Sequence, residues 1–179
     1  MARTRRRSRR CRSIVAARIV GGPLAPDFRG WVYFTSAPGG TWVTVQVSGL
    51  PPYQPATNSQ PPIGPHGFHI HENDNCTVGD PADPFQAAGA HWNPTAQPHG
   101  NHAGDLPVLF SNGGVARMRV YTNRFRPNQV VGRSILIHRH PDDYRSQPAG
   151  ASGPRLACGV VRNYRICGGR IRATATAGR

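Results

Sequence analysis

The sequence lacks long apolar runs: no stretch approaches the roughly 18 consecutive apolar residues that a membrane-spanning helix needs. It also lacks any segment of about 11 residues or more with the apolar stripe of an amphipathic helix. Neither a membrane span nor a helical bundle is therefore predicted. Only 37% of the residues are apolar, whereas glycine (21) and proline (18) are abundant. The 179 residues predict one turn-rich domain with a modest core.

Lysine is absent, and all 22 basic residues are arginine, against 8 acidic residues. Residues 1–18 hold eight arginines and residues 162–179 hold five, with no acidic residue in either segment, while residues 19–161 carry a net charge of +1. This distribution predicts a nearly neutral domain between two basic tails, residues 1–16, which we expect to be disordered, and residues 163–179. The tails contain a single aromatic residue, Tyr164. We therefore expect any polyanion binding by these arginine-rich tails to be non-specific, driven by phosphate contacts and sensitive to salt.

The N-terminal run MARTRRRSRR has a twin-arginine-like pair but lacks the apolar stretch that a signal peptide needs. The segment that follows, IVAARIV, is interrupted by Arg18 and ends at GGP. A cytoplasmic location is therefore favoured, while export, envelope association and a misassigned start codon stay open as alternatives.

The apolar periodicity is that of strands. Val43, Val45 and Val47 alternate with polar residues, and residues 115–122 alternate in the same way. Shorter strand candidates span residues 31–34, 67–71, 134–138 and 156–161 and are bounded by glycine, proline and asparagine. The pattern predicts an antiparallel sandwich or barrel with long loops at 51–66, 72–107 and 139–154.

The histidines are grouped in a pattern that indicates metal binding. His69 and His71 are two apart on a predicted strand, so both side chains leave the same face and can chelate one ion. His138 ends another strand and offers a further imidazole. His66 and His140 lie outside the pattern and are predicted to be ordinary surface or core residues. The long loop offers a complete tetrahedral zinc set without a thiolate: His91, His99, His102 and Asp105.

At these residues the sequence resembles the copper, zinc superoxide dismutases. The resemblance is carried by GFHIHE (67–72), AGAHWNP (88–94), PHGNHAGDLP (98–107), ILIHRHPDD (135–143) and GPRLACGVV (153–161). It covers about residues 17–162 and is closer to bacterial-type sequences, because the step from His99 to His102 is short. It implies an all-β fold, a flattened eight-stranded antiparallel Greek-key β-barrel or sandwich with long metal-binding loops.

The resemblance also implies a role for individual residues. Copper is expected on His69, His71, His91 and His138, and zinc on His91, His99, His102 and Asp105. Asp142 is expected to link a copper histidine to a zinc histidine. Arg155 is expected beside the copper, where its charge attracts and positions a small anion. Cys76 and Cys158 are expected to form the intrachain disulfide of the family.

The activity implied is that of a superoxide dismutase, with superoxide as substrate, copper as the redox metal and zinc as its structural partner. Arg155 and the shared His91 are the expected catalytic residues. The loop before Arg155 offers only Arg145 for steering superoxide, so steering is expected to be weaker or to fall to the tails. A metal-handling protein without turnover and a nucleic-acid-binding protein acting through the tails are the alternatives. Whether the chain forms a homodimer stays open.

Cys11 and Cys167 are left over after the expected pair. If residues 17–20 and 156–161 form neighbouring antiparallel strands, as the family implies, both cysteines lie six residues beyond the same end of the sheet, within reach of a disulfide. The flanking arginines and a reducing cytosol oppose this pairing. Two free thiols on mobile tails are the favoured expectation, with the disulfide as the alternative.

Overall fold

The computed structural model describes residues 11–167 and 170–174, and the described part is built almost entirely of strands. None of the helices in it has the length and apolar character that a membrane crossing requires. The strands are β1 (Arg12–Gly21), β2 (Arg29–Ala37), β3 (Gly40–Ser48), β4 (His66–His71), β5 (Asp105–Leu109), β6 (Val115–Thr122), β7 (Ser134–His138), β8 (Arg155–Cys167) and β9 (Arg170–Ala173). Two short 3-10 helices span Gln86–Ala88 and Pro127–Val130.

The strands form one antiparallel sheet in the order β5-β4-β7-β8-β1-β2-β3-β6, and β9 pairs with β8. The chain crosses over between β3 and β4 and again between β6 and β7, which gives the Greek-key connectivity. The terminal strands β5 and β6 approach each other, so the eight strands make a nearly closed barrel. The predicted all-β class and eight-stranded barrel are confirmed, and β9 adds a short hairpin to β8.

The barrel core follows the alternation seen in the sequence. Val43, Val45 and Val47 on β3 are buried, while the residues between them are partly or fully exposed. Val45 lies opposite Met118 of β6, and Val47 lies opposite Ala116, so both strands turn their apolar residues inward. The barrel interior is therefore filled by side chains, and functional groups must lie outside it.

Strand β5 begins inside the segment 72–107, which the sequence pattern predicted to be a loop, and continues two residues past it. Pro107 argued against a strand here, because proline cannot donate a hydrogen bond to a neighbouring strand and is confined to edge strands. Proline is tolerated here because β5 is an end strand that pairs only with β4 within the sheet order. The pairing sets Asp105 opposite His69, which brings a candidate zinc ligand beside a candidate copper ligand.

The ordered domain extends past the boundaries at 17 and 162 that the sequence indicated. Strand β1 begins at Arg12 and pairs with β8 from Arg12 opposite Ile166, and β8 continues to Cys167. The expectation of free thiols is wrong in the structure: Cys11 and Cys167 form a disulfide with Cα atoms 4.5 Å apart. Because β1 and β8 stay paired as far as Arg12 and Ile166, the cysteines next to these residues lie side by side. The predicted disorder of residues 1–10 lies outside the described residues.

Candidate metal centre

The centre is built on the outer face of the strands β4 and β7. Phe68 and Ile70 point into the barrel core, so His69 and His71 leave β4 on the opposite side. Strand β7 pairs with β4 and ends at His138, whose imidazole lies 4.9 Å from that of His69 between ring centroids. Three imidazoles thus come from two neighbouring strands.

The long loop between β4 and β5 delivers His91 to the same place. Its backbone runs beside β4, with the Trp92 amide donating to the Ile70 carbonyl at 2.8 Å and the Glu72 amide donating to the Ala90 carbonyl at 3.0 Å. His91 therefore lies opposite His71. Gly104 completes this packing, because a Cβ there would collide with the Ile70 carbonyl oxygen.

Four buried histidines meet at this point, and we call them the four-imidazole set: His69, His71, His91 and His138. One ring nitrogen from each lies within 4.8 Å of the others. These nitrogens are Nδ1 of His69 and Nε2 of the other three, and none has a hydrogen-bond partner within the described chain. A buried nitrogen without a partner is costly in the absence of a metal, so the arrangement fits a bound cation.

The outer ring nitrogens of the set are anchored. His71 Nδ1 donates to the Gly89 carbonyl at 2.9 Å, and His138 Nδ1 donates to the Gly153 carbonyl at 3.1 Å. His69 Nε2 lies 2.7 Å from the carboxylate of Asp142. Because the proton of each of these rings is held on the outer side, the lone pair faces the shared point, as metal ligation requires.

A second buried group, the carboxylate set, adjoins the first: His91, His99, His102 and Asp105. His91 belongs to both sets, with Nε2 facing the four-imidazole set and Nδ1 lying 2.9 Å from Asp105 Oδ1. Nδ1 of His99 and of His102 each lie 3.3 Å from the Asp105 carboxylate. The backbone amides of Gly100 and His102 donate to Asp105 Oδ2, which fixes the carboxylate.

Asp142 connects the two sets from behind. It is buried, and its two oxygens accept from His69 Nε2 at 2.7 Å and from His99 Nε2 at 2.8 Å. The amide of Tyr144 also donates to Oδ1, at 2.7 Å. A glycine is needed at Gly150 for this contact, because its φ is +68° and a Cβ there would collide with Asp142 and His99.

The electrostatics keep the ligands in their metal-binding forms. Burial lowers the pKa of His69 and of His71 well below the ordinary value, and lowers that of His138 to about 3. These imidazoles are therefore neutral near neutral pH, which is the ligating form. Burial opposes ionisation of Asp105, but the hydrogen bond to His91 and the neighbouring imidazoles lower its pKa below the ordinary value. Asp105 is thus available as a carboxylate.

A pocket of about 620 Å³ opens from the four-imidazole set and is lined by His71, His91, His138 and Arg155. The Arg155 guanidinium is held by two loop carbonyls, with Nη1 donating to Phe85 at 2.6 Å and Nη2 donating to Gly89 at 2.8 Å. A fixed positive charge therefore stands beside the histidines.

The loop that holds Arg155 is itself tied to β8. Cys76 and Cys158 form a disulfide with Cα atoms 5.7 Å apart, and Cys158 packs with Phe85 in a small buried cluster. The disulfide therefore fixes the segment whose carbonyls receive the guanidinium.

One residue that contacts the centre, Arg124, had no functional signal in the sequence. Arg124 donates from Nη1 to the carbonyls of His102 and Asp105, at 3.0 and 3.1 Å, and so fastens the carboxylate set to the chain after β6. His66 is fully buried, and its Nδ1 donates to the His138 carbonyl at 2.9 Å, which agrees with its interpretation as a core residue. His140 is half-buried and donates to the Pro62 carbonyl.

An all-β barrel with two adjoining histidine-rich ligand sets that share one imidazole defines a binuclear metalloprotein. The model of the family described as copper/zinc superoxide dismutase (SODC) matches residues 28–161. The chain belongs to this family, as the resemblance indicated.

Individual relatives of the chain carry the name of the same family. The chain is 43% identical over 150 residues to a superoxide dismutase [Cu-Zn] of Deinococcus radiodurans, covering 74% of this chain and 76% of the relative. It is 33% identical over 150 residues to the Caulobacter vibrioides enzyme of the same name, covering 74% and 78%. Among solved structures, the Cu/Zn superoxide dismutase from Brucella abortus is similar with a TM-score of 0.64 and 30% identity, covering 84% of this chain and 99% of that one. The bacterial character of the resemblance is confirmed.

Proposed function

We propose that the chain is a superoxide dismutase, which converts two superoxide anions and two protons into dioxygen and hydrogen peroxide. The observation that carries this proposal is the pair of buried ligand sets that share His91 and adjoin Arg155. Family membership and the names of the relatives support the same activity.

The family implies copper and zinc, and the ligand types divide between them. Four imidazoles suit a tetragonal Cu(II), and three imidazoles with one carboxylate suit tetrahedral Zn²⁺. We therefore place copper in the four-imidazole set and zinc in the carboxylate set. Copper held there would supply the one-electron oxidation and reduction of superoxide, while zinc, with a filled d shell, would do no redox chemistry and would be held by the carboxylate set, including the shared His91.

Arg155 acts on the substrate before any electron moves. Its guanidinium is anchored by two carbonyls at the pocket wall, so its positive charge is fixed in place. A small anion entering the pocket gains attraction to this charge and is held next to the histidines, with little reorganisation needed. Arg145, in the loop that ends before β8, is exposed. It is the candidate for steering at longer range.

His91 supplies the proton path. It is the one imidazole that belongs to both sets, and its two ring nitrogens face different partners. When its Nε2 is not engaged as a ligand, this atom can take up a proton and deliver it to the reduced oxygen species in the pocket. Asp105 on the Nδ1 side keeps the ring in place during this exchange.

The experiment combines metal analysis with a superoxide assay on the purified protein and two variants. His138→Ala should lose copper and activity while keeping zinc, because His138 belongs only to the four-imidazole set. Asp105→Ala should primarily weaken zinc binding. Equal loss of both metals in the two variants would contradict the separate assignment of the sites. Full metal loading without dismutation would support the metal-handling alternative.

Homodimer formation and polyanion binding by the terminal arginines stay predictions. Superoxide is the substrate that the family implies.

A further inference from the structure

The arginines of the described chain differ in what engages their side chains. Arg124, Arg126, Arg133 and Arg155 donate to backbone carbonyls, whereas loop residues such as Arg139 and Arg145 are exposed. Those on the outer face of the strands β8, β1, β2, β3 and β6 are exposed, and within the described residues no hydrogen bond or ion pair engages their side chains. We call this surface the arginine face, and its basic members are Arg18, Arg29, Arg117, Arg119 and Arg162. Arg119 lies over the ring of Trp42, with its guanidinium carbon 4.4 Å from the ring centroid, but no structural contact accounts for the other four guanidinium groups within the described residues.

Strand register arranges the arginine face in rows. One row crosses four strands, with Arg18 opposite Trp31, Trp31 opposite Gln46, and Gln46 opposite Arg117. The row therefore has an aromatic residue between two arginines. With strands about 4.8 Å apart, its two arginines are separated by roughly 14 Å at the backbone.

The next row has the same order of arginine, aromatic residue and arginine, and it crosses five strands. Arg162 lies opposite Ala16, which lies opposite Tyr33, followed by Thr44 and then Arg119. Here again an aromatic ring stands between two arginines.

The aromatic rings of these rows form one cluster. Trp31 and Tyr33 are nearly parallel, with centroids 6.0 Å apart and an interplanar angle of 14°. Tyr164 meets Trp31 edge-on at 5.2 Å. All three side chains are half-buried, so each leaves part of its ring accessible to solvent.

Acidic residues are absent from the strands that form the face, and from β9 beside them. A groove of about 510 Å³ crosses the face, lined by Arg18, Arg29, Arg117 and Trp31 together with Asp27 from the loop before β2. Three arginines against one carboxylate give the groove a positive potential. A second copy of the chain is a poor occupant, because two such faces would bring five guanidinium groups against five.

We propose that the arginine face binds single-stranded nucleic acid, with phosphates on the arginines and bases on the cluster of Trp31, Tyr33 and Tyr164. A polyanion without bases would use the charge but not the aromatic rings. A duplex would keep its bases stacked inside. A single strand offers both phosphates and free base faces, which matches rows of arginine and aromatic residues. This places the binding surface in the fold itself and not only in the basic tails.

The first test measures salt dependence with the full-length protein and a fluorescent single strand of about 16 thymidines. Neutralising two phosphate contacts in the double variant Arg18→Gln with Arg117→Gln should reduce the slope of log Kobs against log salt by about 1.4, at about 0.7 per contact. The charge-matched control is the double variant Arg139→Gln with Arg145→Gln, two exposed arginines outside the face, whose removal should leave the slope unchanged. An equal change in the control would show that only net charge matters, and would overturn the proposal.

The second test reports on stacking. Binding of the oligonucleotide should quench tryptophan fluorescence, and Trp31→Phe should remove most of the quenching, while Trp92→Phe, at a buried position, should not. Trp31→Ala should weaken binding about tenfold. If Trp31→Ala does not fold, the quenching experiment with Trp31→Phe still shows whether bases stack on Trp31.

Two comparisons complete the experiment. A duplex of the same length and inorganic polyphosphate of matched charge should bind more weakly than the single strand. Equal or tighter binding of polyphosphate, or quenching that persists in Trp31→Phe, would refute recognition of bases by this face.

Discussion

Replacing Asp142 with asparagine tests the connection between the two ligand sets while preserving side-chain shape. In the structure both carboxylate oxygens accept hydrogen bonds, Oδ2 from His69 and Oδ1 from both His99 and the Tyr144 amide. An asparagine has only one accepting oxygen. We expect that oxygen to take the Oδ1 place, because two donors converge there, which leaves the amide NH₂ facing His69 Nε2.

The substitution should weaken copper binding by the four-imidazole set. Facing a donor, His69 must move its proton from Nε2 to Nδ1, and Nδ1 is the nitrogen directed at the other three histidines. Loss of such an orienting partner typically costs 10–100-fold in metal affinity, so Asp142→Asn should weaken copper binding by about 1.4 to 2.7 kcal/mol. His99 keeps its acceptor, so zinc binding should change less.

The assay is competition between the metal-free protein and a chromophoric chelator, titrated separately with Cu(II) and Zn(II). Asp143→Asn is the matched control, since Asp143 is exposed and its carboxylate accepts hydrogen bonds only from the neighbouring residues Arg145 and Ser146. A copper affinity of Asp142→Asn within about twofold of the wild type would contradict an orienting role for Asp142. A larger fall in zinc affinity than in copper affinity, or an equal loss of copper affinity in Asp143→Asn, would contradict it as well.

Much of the barrel could be predicted because its strands have one buried face and one exposed face. The alternation at Val43, Val45 and Val47 reports this asymmetry directly. The extensions of β1 and β8 could not be predicted in the same way. N-terminal to Val15, which still packs against the core, the paired strands run past the barrel, so no buried face imposes a period on residues such as Arg12 and Ser13. Backbone pairing and the terminal disulfide order these segments, and neither leaves an apolar pattern.

The ligand types of the metal centre could be predicted from the sequence, but their orientation could not. His69 and His71 are chemically distinctive, and a spacing of two on a strand places them on one face. Their anchoring depends on backbone carbonyls such as those of Gly89 and Gly153, which every residue type possesses. The hydrogen bond from Arg124 to the carboxylate set could not be predicted either. An arginine near a turn looks the same in the sequence whether or not its side chain makes a hydrogen bond.

The arginine face shows the same limit at the scale of a surface. Arg117 and Arg119 are visible in the sequence as the polar half of an alternating strand. Only the register of β1, β2, β3 and β6 reveals that Trp31 lies between Arg18 and Arg117. The charge count by segment assigned Arg18 and Arg162 to the basic tails, whereas in the structure both lie on strands of the sheet.

Three further predictions address catalysis, acid stability and the termini. Arg155→Ala should keep both metals yet lower kcat/KM for superoxide about tenfold, because it removes an attraction and not a ligand; loss of copper from this variant would contradict that role. The metal-free protein should lose stability as pH falls below about 6.5, because His138, with a folded pKa of about 3, stays neutral while the unfolded chain gains a proton. This residue alone accounts for about 3 kcal/mol by pH of about 4.5, and urea titrations of His138→Gln should show a shallower pH dependence. A non-reduced digest should yield a peptide linking Cys11 to Cys167, and alkylation of both without reduction would rule the link out. Their disulfide closes a loop across a sequence separation of 156 residues, so replacing both with serine should lower the free energy of unfolding by about 5 kcal/mol in the chain-entropy account. The Cys11–Cys167 disulfide joins segments outside the barrel core, so the metal content of the double serine variant should not change. A loss of metal would show that the termini support the metal centre directly.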